Sequence, residues 1–117
     1  MAETSVYHNP RCSKSREVIA LLEEKGVDFR PVLYMEQGLS RDELAGLLRK
    51  LGIPARDLLR SSEKAYRDRG LSDPARSEVE LIDAMVEEPR LMQRPIVVKG
   101  RRAVVARPAK RALELVG

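Results

Sequence analysis

Every stretch of this sequence suited to a sheet lies toward one end of the chain or the other. Thr4 to His8 and Phe29 to Tyr34 read as strands on the N-terminal side, and Ile96-Val97-Val98 and Ala103-Val104-Val105 on the C-terminal side. Residues 40–88, in between, carry only helical signals. A single sheet of all four brings the two ends together, with the C-terminal hairpin extending the N-terminal strand pair and the middle set aside as a helical insertion.

The local signals fill in that outline. Ser13 to Lys25 reads as a helix with Val18, Ile19, Leu21 and Leu22 on its apolar face and Gly26 as its stop. Pro31 inside the second strand places that strand at a sheet edge, because proline has no amide to give a ladder. Met35 to Leu39 reads as a loop. Ser40-Arg41-Asp42-Glu43 and Ser77-Glu78-Val79-Glu80 are capping-box patterns, each opening a helix. The first continues through Leu44, Leu47, Leu48 and Leu51 to Gly52; the second carries Val79, Ile82, Met85 and Val86 as its apolar face and is bounded by Pro89. Pro54 opens a short helix through Leu59, and Glu63 to Arg69 forms a further turn or two. The β-branched runs around Gly100 predict a hairpin with its turn near Lys99 to Arg102, and Pro108 can start a last helix carrying Ala112, Leu113 and Val116. The order strand, helix, strand, helical block, strand, strand, helix is that of an α/β, thioredoxin-like fold. The expectation is a mixed four-stranded sheet with a helical insertion between the second and third strands, in one domain over residues 1–117 with the insert at approximately 40–88; periodicity by itself supports α/β without choosing this topology over others.

Composition excludes several classes. A chain of 117 residues builds a single core, and no apolar run approaches the roughly 18–20 residues that span a bilayer. The start, Met1-Ala2-Glu3-Thr4, shows no secretory leader pattern. The excess of 22 basic over 18 acidic residues is small, and the few aromatics are not interleaved with it, so neither a nucleic-acid nor a membrane partner is expected. One cysteine cannot close an internal disulfide, which fits a reducing cytoplasm.

That cysteine, Cys12, sits where strand gives way to helix, just after the turn pair Asn9-Pro10. A thiol there faces the unpaired amides and the positive end of the following helix. Making thiolate the majority form at pH 7 means lowering a pKa of ~8.5 by roughly two units, or about 2.7 kcal/mol. The helix terminus supplies about 0.3–1 kcal/mol when exposed and up to ~2 when partly buried. The balance must come from first-turn amides, the Ser15 hydroxyl, and cations such as a protonated His8 or an arginine. Cys12-Ser13-Lys14-Ser15 is the monothiol form of C-x-x-C, so any redox cycle must take its second thiol from another molecule. One His and one Cys do not make a zinc site, and no metal is expected. Arg60, after Leu58-Leu59, and Arg94 and Arg107, each directly before a proline beside the hairpin, are the arginines marked by context. Guanidinium forks suit a tetrahedral oxyanion; spacing does not show whether these three converge.

The run His8-Asn9-Pro10-Arg11-Cys12-Ser13-Lys14-Ser15-Arg16 resembles the glutaredoxin-dependent arsenate reductase family. So do Arg41-Asp42-Glu43-Leu44, Leu58-Leu59-Arg60, Leu81-Ile82-Asp83, Arg94-Pro95-Ile96-Val97-Val98 and Arg107-Pro108, in the family's order. The resemblance implies a thioredoxin-like fold with Cys12 as nucleophile, His8 joining Ser15 in favouring its thiolate (Ser15 on its position alone), Arg60, Arg94 and Arg107 binding arsenate, and a cis bond before Pro95. It also implies the reaction: Cys12 attacks arsenate, glutathione as co-substrate attacks the adduct, arsenite leaves, and glutaredoxin resolves the mixed disulfide, with no bound cofactor. Two alternatives stand beside it. One is a thiol-sensing transcriptional regulator of the same fold that binds RNA polymerase, although such proteins commonly carry C-x-x-C where Ser15 stands here. The other is a monothiol oxidoreductase acting on another oxyanion.

Overall fold

The computed structural model describes residues 3–116. Strand β1 (Thr4–Tyr7) leads through a turn into α1 (Ser13–Glu24), and β2 (Arg30–Val32) follows. Next come α2 (Tyr34–Gln37), α3 (Arg41–Leu51), α4 (Ala55–Leu58), α5 (Lys64–Asp68), α6 (Glu78–Glu87) and a 3-10 turn at Pro89–Leu91. The hairpin β3 (Ile96–Lys99) and β4 (Arg102–Val105) then leads to a 3-10 turn at Ala109–Ala112 and α7 (Leu113–Val116). The chain divides into two compact units. One holds the segments up to Gln37 and from Arg94 onward, and the other is Gly38–Gln93.

The sheet-bearing unit has the strand order β2-β1-β3-β4. Strand β1 runs parallel to β2 and antiparallel to β3, and β3 is antiparallel to β4. This is the mixed four-stranded α/β architecture expected, with the helical segment between the second and third strands. Pro31 stands in the edge strand, where its missing amide costs no ladder bond. Val6, Val97 and Val104 are successive register partners across three strands. They form one core with Val18 and Leu22 of α1 and Ala112, and Ile19, Phe29, Leu115 and Val116 pack against it. The hairpin turn is the two residues Gly100 and Arg101, since Lys99 pairs with Arg102. Gly100, at the first turn position, takes a φ of 63°, which a residue with a side chain rarely adopts.

In the helical unit both capping boxes form. The Ser40 hydroxyl accepts from the Glu43 amide at 3.0 Å and the Ser77 hydroxyl from the Glu80 amide at 3.2 Å, each glutamate returning a bond to the serine amide. Helix α6 lies against α3 and α4.

Three expectations are corrected. Residues 35–39 are not all loop: the Glu36 and Gln37 amides close on the Leu33 carbonyl, making the turn α2. That turn also shortens the second strand to Arg30–Val32. On α6, Ile82 and Met85 are buried as expected, but Leu81 and Ala84 complete the buried face, whereas Val79 is 52% exposed and Val86 only half-buried. The C-terminal segment begins as a 3-10 turn rather than as a regular helix from Pro108.

Candidate active site

The turn between β1 and α1 is held by hydrogen bonds of its own residues and of the first turn of α1. The Cys12 amide donates to the Asn9 carbonyl at 2.9 Å, and the Arg11 amide donates to the Asn9 side-chain oxygen at 3.0 Å. Ser15 is buried, and its hydroxyl accepts from the Asn9 amide at 3.2 Å. Arg16 donates to the Pro10 carbonyl at 2.9 Å. Asparagine bonding its own turn and proline presetting φ are the local reasons the chain reverses here. The result is that Cys12, half-buried, becomes the N-cap residue of α1.

The thiol ionises more readily than an ordinary cysteine. Burial opposes this and is the largest single influence, but the backbone amides of Ser15 and Lys14, together with a hydrogen bond and the positive charge from Arg94, outweigh it. The sulfur does not close a full N-cap hydrogen bond; the amides act by lying close to it. Ser15 thus acts on the sulfur through its backbone, while its hydroxyl fixes the turn. Lys14 acts through its main chain, a contribution that any first-turn residue can make and that side-chain identity does not reveal.

His8 continues the β1–β2 pairing, its amide donating to the Val32 carbonyl at 3.1 Å. Its ring is buried, burial holds its pKa below the ordinary imidazole value, and Nδ1 finds no hydrogen-bond partner among the described residues. The ring is therefore biased toward neutral. The cation that acts on the sulfur is Arg94, from just before β3.

Arg94 is buried, and Arg107 is half-buried. The register explains why they share an end of the sheet. Ile96 pairs with both Tyr7 and Val105, and the Ala106 amide extends the β3–β4 ladder to the Pro95 carbonyl at 2.9 Å. Continuing that register places Arg107 beside Arg94 and both at the end where β1 enters the cysteine turn. The Arg94-Pro95 and Arg107-Pro108 bonds are both cis. Arg60 belongs to the helical unit. Its amide donates to the Leu91 carbonyl at 2.7 Å, and its guanidinium pairs with Glu63 at 2.8 Å. No group of three or more His, Cys, Asp and Glu lies together among the described residues, and no helix among them is long and apolar enough to cross a membrane.

A buried arginine acting on a cysteine at the N-cap of a helix is an arrangement that favours the ionised thiol. The chain belongs to the ArsC family, whose model matches residues 7–115, as the sequence resemblance anticipated. It is 47% identical over 116 residues to the uncharacterized protein YfgD of Escherichia coli K12, covering 98% of each chain. It is 40% identical over 111 residues to the arsenate reductase of Haemophilus influenzae, covering 94% of this chain and 96% of that one. The solved arsenate reductase from Vibrio cholerae superposes with a TM-score of 0.94 at 40% identity, over 97% of this chain and 98% of that one.

Proposed function

We propose that this protein reduces arsenate, with Cys12 as the nucleophile. The observation that carries the reading is the Cys12 sulfur at the N-cap of α1, its ionised form favoured by the Ser15 and Lys14 amides and by Arg94. The thiolate attacks arsenic and displaces hydroxide, giving a covalent sulfur–arsenate adduct. Glutathione then supplies the second thiol: its sulfur bonds to Cys12, the sulfur–arsenic bond breaks with its electron pair going to arsenic, and arsenite leaves. Glutaredoxin attacks the glutathionyl sulfur and frees Cys12. Two thiols give up the two electrons that arsenic gains, and the chain holds one of them. The cycle needs no bound cofactor and places the protein in a reducing cytoplasm.

Arg94 acts on both partners in the first step. It lowers the energy of the thiolate, and it neutralises part of the oxyanion's charge as the two anions approach. Arg107, at the same end of the sheet, serves the oxyanion. Arg60 is assigned to arsenate binding on the sequence resemblance alone.

The test is a coupled assay with arsenate, glutathione, glutaredoxin and a recycling system. Arsenate-dependent turnover by the native chain, lost in Cys12→Ser, is the expected result. Absent turnover, or turnover that survives the substitution, removes the reading; turnover with a different oxyanion in place of arsenate transfers the same chemistry to that substrate.

A further inference from the structure

The turn that carries Cys12 has a second side. A cavity of about 300 Å³ lies there, lined by Asn9, Pro10, Arg11, Leu33, Met35 and Glu36. That is the lower end of the size range of small-molecule sites, roughly 300–1,000 Å³. All six residues belong to the sheet-bearing unit. One wall is the cysteine turn, fixed by the Cys12–Asn9 and Arg16–Pro10 bonds. The other is the turn after β2, fixed by the Glu36 and Gln37 amides on the Leu33 carbonyl at 2.9 and 3.1 Å. Hydrogen bonds within each turn hold both walls, so the cavity is preformed.

Its chemistry is mixed in a specific way. Pro10, Leu33 and Met35 supply apolar surface, and Met35 is 39% exposed, unusual for a large hydrophobic residue of this chain. Arg11 and Glu36 bring one positive and one negative charge. Both side chains are exposed, and neither is in an ion pair among the described residues. Two opposite, unused charges beside a small apolar pocket complement a zwitterion with an apolar middle. Topology adds a direction. In the order β2-β1-β3-β4, Arg94 reaches the sulfur from the β3 side, whereas this cavity lies on the β2 side.

We propose that this cavity seats the reducing thiol, a small peptide thiol of the glutathione class, with a carboxylate on Arg11 and the ammonium on Glu36. The proposal rests on the arsenate-reductase reading for why a thiol is needed, but not for whether one binds. The oxyanion and the reductant then flank the nucleophile on opposite sides, so both can be present at once. Arg11 directly precedes Cys12, and a peptide anchored on it is held by the segment that also carries the sulfur–arsenate adduct.

The experiment titrates S-methylglutathione, which cannot react, into the isotope-labelled full chain without arsenate. Amide signals of residues 9–12 and 33–37 are expected to move together. Glu36→Gln should weaken binding roughly two- to five-fold, the size of one exposed ion pair, and Arg11→Glu by more, since it also introduces repulsion. The N-acetylated analogue, which has no ammonium, should bind more weakly to the native chain and be indifferent to Glu36→Gln. Shifts confined to other residues, or an affinity that both substitutions leave unchanged, overturn the proposal. Failure of the arsenate reading looks different: the native chain then shows no arsenate-dependent turnover, whatever the titration gives.

Discussion

At Cys12 the balance between desolvation and local donors decides whether the sulfur is a nucleophile. Among the described residues Arg94 supplies the positive charge that acts there, so Arg94→Gln should raise the thiol pKa toward its ordinary value. Measured as the pH dependence of iodoacetamide alkylation, the profile should move to higher pH and the rate at neutral pH should fall several-fold; an unmoved profile removes Arg94 from that role. His8 gives a second prediction, with the opposite chemistry. Burial depresses its native pKa, so on acidification the unfolded chain takes up this proton first. The associated stability is fully present above the ordinary imidazole value and is lost as pH falls through it toward the depressed native value. Urea unfolding at about pH 7.5 and about pH 5.5 should therefore show a larger loss for the native chain than for His8→Gln, the ordinary value being ~6.5. As the chain has one histidine, the difference belongs to His8. Equal losses would refute the claim. The thiol's position at a helix start was legible from Asn9-Pro10-Arg11-Cys12 alone. The identity of its cation was not, because Arg94 meets the sulfur only through the β1–β3 register.

Among the elements, most stand where the local signals put them, and what those signals do not carry is the detail that distant partners decide. Helices α3 and α6 announce themselves through Ser-x-x-Glu, where four consecutive residues contain both halves of the capping device. Helix α4, expected from Pro54, has no capping box of its own. Pro54 stands at its N-cap, and its first amide, that of Ala55, is taken by the Glu78 carboxylate from the start of α6 at 3.0 and 3.2 Å. A carboxylate serving an amide far along the chain leaves no short pattern to find. The part of the α6 face that differs has the same origin: Val79 is as apolar as Leu81, and the position of α3 and α4 decides which of the two is covered. The capping account yields a stability prediction. Ser77→Ala removes the acceptor for the Glu80 amide and should cost about 1 kcal/mol in urea unfolding, while Val79→Thr, on the exposed side of the same helix, should change stability by less than about 0.5 kcal/mol. A Ser77→Ala loss no larger than that of Val79→Thr would mean that the cap contributes nothing to this helix.

For the whole molecule, the controlling fact is electron count. Reducing an oxyanion of arsenic by two electrons takes two thiols, and this chain has one. The proposed reaction therefore has to leave its mark as an intermolecular disulfide on Cys12, never an internal one. Native chain incubated with arsenate and glutathione, but without glutaredoxin, should gain one glutathionyl group per chain in the intact mass spectrum and release about one arsenite before stopping. Adding glutaredoxin should remove that group and restart turnover. Glutathione without arsenate should leave the reduced chain unmodified under anaerobic conditions, because a thiol and a thiolate have no oxidant between them. If arsenite forms with no glutathionylated intermediate, Cys12 is being recycled by a different thiol. If the intermediate forms but glutaredoxin cannot clear it, the last step of the proposed cycle is wrong while its first two steps stand. The same count separates this protein from a sensor of the C-x-x-C kind: with Ser15 in place of a second cysteine, it has no second thiol with which to record oxidation within one chain.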